Sequence, residues 1–120
     1  MSAFDAHAAQ TAVEKLARRH RVRIWWHTQD GPEAHPGTRQ VWLDPVTTPY
    51  TYLAALHELG HVVDRDSKRL GAKGYVLSCE AAAWEWAMIH SDPVVLPRVG
   101  KRTRKLIYQA WGTYVPEELD

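Results

Sequence analysis

Pro49-Tyr50-Thr51-Tyr52-Leu53-Ala54-Ala55-Leu56-His57-Glu58-Leu59-Gly60-His61-Val62-Val63-Asp64-Arg65-Asp66 is the stretch whose reading decides the fold. Leu53, Leu56, Leu59 (with Gly60) and Val63 recur at helical spacing and make one apolar stripe. Tyr50, Ala54, His57, His61 and Asp64 make a neighbouring stripe, so both histidines fall at the edge of a face that must be covered. Thr47-Thr48 before Pro49 is a helix start, a threonine cap followed by proline at the first helical position.

Within that helix, His57-Glu58-Leu59-Gly60-His61 is an HExxH motif. Residues four apart lie about one turn from each other on one face, so two imidazoles can converge on one ion. The glutamate after the first histidine can reach a metal-bound water. Chance supplies roughly 0.02 such matches in a chain of 120 residues with 7 histidines.

The remaining sequence supplies a small scaffold. Ser2 to about His20 is alanine-rich, with Ala6, Ala9, Val13, Leu16 and Ala17 at helical spacing and Ser2 and Asp5 as the start signal. Val22 to His27 and Arg39 to Asp44 are β-branched and aromatic, and read as strands that pair antiparallel. Residues 29–38, rich in Gly and Pro, read as the loop between them. Residues 67–77 read as another loop; helices follow from Ser78 to about His90 and from about Val99 to Gly112. The expectation is a single α+β domain over 1–120: a short antiparallel sheet against three or four helices, with the motif helix in the core.

With 45% hydrophobic and 24% charged residues, the composition is that of a globular domain. A net charge of +1 favours no class of partner. Cys79 stands alone, which excludes an internal disulfide and suits a reducing compartment. No apolar run is long enough to cross a bilayer, and the N-terminus lacks the apolar core of a secretory signal, so a cytoplasmic protein is expected.

A catalytic zinc site needs a third protein ligand. Asp64 lies about 10.5 Å along the helix from His57, too far to share a tetrahedral ion. Cys79 would be a strong ligand, but a lone cysteine is more often a small buried apolar residue, which leaves Glu80, Glu85 and His90. Local reasoning favours Glu80, because Ala83 and Ala87 follow it at close-packing spacing and let its helix approach another. Glu85, rotated about 140° from Glu80, belongs on a solvated face.

Residues 20–90 resemble the ImmA/IrrE-type metallopeptidases, small gluzincins of phage, mobile elements and bacterial stress responses. HELGH at 57–61, the preceding Val41-Trp42-Leu43-Asp44-Pro45, and Glu80-Ala81-Ala82-Ala83-Trp84-Glu85-Trp86-Ala87 carry the likeness. Trp84 stands where the family usually has Asn. The resemblance implies a zincin-like fold, zinc held by His57, His61 and Glu80, and Glu58 as general base. It implies hydrolysis of a protein or peptide substrate, such as a phage or mobile-element repressor. Residues 39–44 would be the edge on which an extended substrate pairs. Tyr75, His90, Tyr108 and Tyr114 are candidates for the oxyanion donor, and Asp64 for a hydrogen bond to a ligand imidazole. Two other classes fit the sequence: an inactive zinc-binding interaction module, and a nucleic-acid-associated protein using the basic cluster Arg98, Lys101, Arg102, Arg104 and Lys105. Charge balance elsewhere makes the cluster a solvated helix face first, and Glu58 favours catalysis, since a structural zinc site needs no base.

Overall fold

The computed structural model describes residues 4–63, 82–97, 100, 101 and 103. Helix α1 (Ala6–Arg19) begins at Asp5, whose carboxylate accepts the Ala8 N–H at 3.0 Å. Asp5 is therefore the cap itself, one turn later than the Ser2 start expected from sequence. Ala9, Val13 and Ala17 form its buried face. The helix ends in a Schellman turn: Val22 N–H donates to the Ala17 carbonyl and Arg21 N–H to that of Arg18. Arg21 takes the left-handed position, at φ 58°.

Three short strands follow: β1 (Arg23–Trp25), β2 (Glu33–His35) and β3 (Gln40–Trp42), in the spatial order β1-β3-β2. The sheet is mixed. β1 pairs with β3 in parallel, Ile24 opposite Val41, and β2 pairs with β3 antiparallel, Ala34 opposite Val41. This corrects the expected antiparallel pairing of the 22–27 and 39–44 segments. The stretch 29–38 is not one loop, because it contains β2 and the 3₁₀ turn Pro36–Thr38. That turn makes β2 and β3 the hairpin. Arg39 closes it in a left-handed conformation (φ 54°), its N–H on the Pro36 carbonyl. The Arg39 guanidinium bonds the carbonyls of His20 and Arg21, and its own carbonyl accepts the Arg23 N–H. These bonds draw the start of β1 to the start of β3, which makes them run the same way.

Helix α2 (Pro49–Val63) starts where the sequence indicated: Thr51 N–H donates to the Thr48 hydroxyl at 3.1 Å, and Thr48 N–H to that of Thr51 at 2.8 Å. Leu53, Leu56 and Leu59 are buried, and with Val13, Val41 and Leu43 they form the core between α1, α2 and one sheet face. A third helix, α3, spans 82–90. It crosses α2 at Gly60 and adds Trp84, Trp86 and Ala87 to the core. The Tyr52 hydroxyl accepts the Asp92 N–H at 2.9 Å and ties the end of α3 to α2. The small α+β domain expected from sequence is thus present, with the motif helix at its centre. Among the described residues, no helix is long and apolar enough to cross a membrane.

Candidate metal centre

His57 and Glu58 are buried and His61 is half-buried on the last turns of α2. The two Nε2 atoms lie 3.1 Å apart, and the rings meet nearly edge to face. Ligand nitrogens at about 2.0–2.1 Å on one tetrahedral ion stand roughly 3.3 Å from each other. The imidazoles are therefore set close to the separation that a shared metal requires. The Glu58 carboxylate reaches 3.9 Å from His57 Nε2. Donor atoms of His57, Glu58 and His61 all lie within 4.8 Å of one another, so this group can hold a metal ion.

Why these rings point this way follows from packing. Gly60 has no side chain, and α3 fills that space: a Cβ there would stand 2.9 Å from the Ala83 carbonyl oxygen and 3.2 Å from Trp86 Cβ. The close crossing carries Trp84 onto the His57 imidazole, with ring centres 4.1 Å apart and a 31° tilt. An aromatic wall on one side restricts rotation of the His57 ring. The same crossing fulfils, at Ala83, the expectation that small residues permit close approach of the two helices, and Ala87 is buried.

Of the remaining candidates, Glu80, Cys79, Asp64, Tyr75, Tyr108 and Tyr114 lie outside the described residues, as do Arg98, Arg102, Arg104 and Lys105. Glu85 is exposed, as expected of a solvated face. His90 stacks on Trp86 at 4.0 Å, and its Nδ1 meets the Trp86 carbonyl at 2.9 Å. It lies near His20 rather than in the cluster of His57, Glu58 and His61.

The strand facing the centre is not the one expected. β3 is the central strand, paired on both sides, so residues 39–44 offer no free edge. The strand beside the centre is β2: a groove of ≈ 310 Å³ is lined by Pro32, Glu33, Ala34, Pro36, Glu58 and His61. Among the described residues β2 pairs only with β3, which leaves its other edge toward this groove. Glu-Ala-His between prolines has no β-propensity to show this in the sequence. A smaller cavity, lined by Leu43, Asp44, Tyr50, Thr51, Ala54 and Ala55, shares Pro32 with the groove. Burial pushes the Tyr50 phenol above its usual pKa, and the Glu58 charge adds to the shift. Tyr50 therefore keeps its proton at neutral pH.

No protein-family model matches the chain, and no curated protein or solved structure matches it either.

Proposed function

We propose that this protein is a zinc-dependent peptidase of the ImmA/IrrE type. One observation carries the reading: two imidazole nitrogens 3.1 Å apart beside a buried carboxylate, with Glu58 and His61 lining a groove walled by a strand edge. Two imidazoles and one carboxylate suit zinc: His57 and His61 supply the imidazoles, Glu80 is the third ligand in this reading, and Glu58 is left as the base. When bound, zinc polarises a peptide carbonyl and makes an attacking water more acidic.

The chain's own residues supply the rest. Glu58 accepts a proton from the attacking water at its carboxylate and delivers it to the departing amine nitrogen. Main-chain groups of β2 pair with an extended peptide and hold it across Glu58 and His61. The Trp84 indole holds the His57 ring in place during turnover.

The test is cleavage of unstructured protein substrates by zinc-loaded protein and its Glu58→Gln variant. Zinc should stay bound in the variant while cleavage falls by at least about 100-fold. Undiminished cleavage removes Glu58 as the base. A companion measurement on Glu80→Ala should show strongly reduced zinc occupancy; full occupancy places the third ligand elsewhere.

A further inference from the structure

The face of the sheet turned away from the helices carries an aromatic column that neither the core nor the metal centre uses. Trp25 and Trp42, opposite each other on β1 and β3, are stacked with centres 6.0 Å apart and planes within 14°. His35, from β2, lies 4.6 Å from Trp42. The Arg23 guanidinium sits 4.0 Å over the Trp25 ring. Beside Trp42 opens a cleft of ≈ 390 Å³, walled by His27, Gln29, Asp30 and Glu33. It is larger than the groove over the metal centre, and Glu33 lines both.

The chemistry of this cleft selects its occupant. Two carboxylates and an indole line it, the Glu33 carboxylate also meeting His35 Nε2 at 2.8 Å, and among the described residues no lysine or arginine does. A small divalent ion is the wrong guest: among the described residues, the only donor atoms that converge closely enough are those of His57, Glu58 and His61. Donors spread around an aromatic surface suit an extended, delocalised cation instead. A guanidinium can lie on an indole face while its N–H groups bond separate carboxylates. The contact of Arg23 with Trp25 is the same pairing, already made within this sheet. Polyanions and single-stranded nucleic acids are disfavoured, since Asp30 and Glu33 repel phosphate.

Position then connects the cleft to the groove. A peptide extended along β2 sends alternate side chains to opposite sheet faces. One set points inward with Ala34, toward Glu58 and His61, and the other outward with Glu33 and His35. An outward residue near the scissile bond therefore meets Glu33 and the cleft behind it.

We propose that the Trp42 cleft is a specificity subsite that takes an arginine, or less well a lysine, of the peptide substrate, close to the bond being cut. The proposal rests on the peptidase reading for its setting, but the recognition chemistry is separable from catalysis. The experiment uses pairs of peptides that differ only by arginine or its neutral isostere citrulline, the position moved from two residues before to two after the scissile bond. Zinc-loaded protein should favour arginine by about tenfold in kcat/KM at one position, the magnitude of a cation–π contact plus an exposed ion pair. In Asp30→Asn with Glu33→Gln that ratio should fall towards one. Both side chains are exposed, and the Glu33–His35 pair that the double variant loses is an exposed one, of little weight in the stability of the fold. Asp30→Lys should shift the preference to a glutamate-containing peptide. Equal treatment of arginine and citrulline at every position overturns the subsite while leaving the peptidase reading intact. If no peptide is cleaved, the peptidase reading fails. Binding of the same pairs to zinc-loaded Glu58→Gln protein then decides the subsite: an arginine preference lost with Asp30 and Glu33 upholds it, and equal affinities overturn it.

Discussion

Gly60 and Ala83 meet backbone to backbone, so closely that a methyl group on residue 60 would stand 2.9 Å from the Ala83 carbonyl oxygen. The contact fixes how far α3 can approach α2. The next residue along α3 is Trp84, the wall of the His57 imidazole. A glycine inside the motif thus sets the surroundings of the His57 imidazole.

Gly60→Ala should therefore destabilise the protein, although the substitution usually helps a helix. Alanine gains about 1 kcal/mol over glycine in a helix interior. Overpacking against a backbone carbonyl that cannot rotate away costs about 1–3 kcal/mol. A net loss of roughly 1 kcal/mol is expected in urea unfolding of the metal-free protein. Zinc affinity should fall too, because α3 carries Trp84 away with it. A stability gain with unchanged zinc affinity would show that the two helices can separate freely.

Zinc itself should stabilise the folded chain, whatever the catalytic outcome. A ligand that binds only the native state at 100 times its Kd contributes about 2.7 kcal/mol. The unfolding midpoint should rise with added zinc and return on chelation. His61→Gln removes one of two nitrogens now 3.1 Å apart and should abolish most of the rise. An equal rise in that variant would move the zinc site elsewhere.

How much of this was legible in the chain depends on the range of the forces involved. Both ends of α1 and the start of α2 are governed by near neighbours: capping side chains, proline, periodic leucines and alanines. Sequence therefore located them to within a few residues, and the HExxH spacing, being one helical turn, brought His57 and His61 together as expected. The sheet is different. Its parallel pairing rests on bonds between distant positions, among them the Arg39 guanidinium on the His20 and Arg21 carbonyls, spanning 19 and 18 positions. No local pattern reports such a bond, so β1 was expected antiparallel to β3. The site's wall was hidden likewise: β2 is three residues long, Glu33 and His35 are exposed, and only Ala34 faces inward.

Alkaline pH should expose the buried phenols. Burial raises Tyr52 above its usual pKa, outweighing the Asp92 N–H that favours the phenolate, and burial also raises Tyr50. An acid whose folded pKa is raised contributes stability that is complete below its unfolded pKa, about 10 for tyrosine. That stability is lost as pH rises from there through the higher folded pKa. The unfolding free energy should accordingly start to fall above about pH 10. Tyr52→Phe should flatten part of this loss while lowering stability at neutral pH by about 1 kcal/mol, because the Asp92 N–H loses its acceptor. An unchanged alkaline limb would mean that Tyr52 ionises as freely folded as unfolded.

Arg21 offers a test in the stabilising direction. It occupies the position after the α1 cap at φ 58°, within a complete Schellman turn, where its Cβ crowds its own carbonyl. Left-handed backbone costs an ordinary residue roughly 1 kcal/mol, and glycine adopts it without that strain. Glycine also leaves the unfolded chain more entropy to lose, which offsets part of the gain. The Arg21 side chain is exposed, and the carbonyl it presents to Arg39 is kept by any residue. Arg21→Gly should thus raise stability by a few tenths to about 1 kcal/mol, whereas Arg21→Ala keeps the Cβ and should gain nothing. Thermal unfolding of the two variants side by side checks this. A glycine variant no more stable than the alanine one would show that the turn carries no strain at this residue.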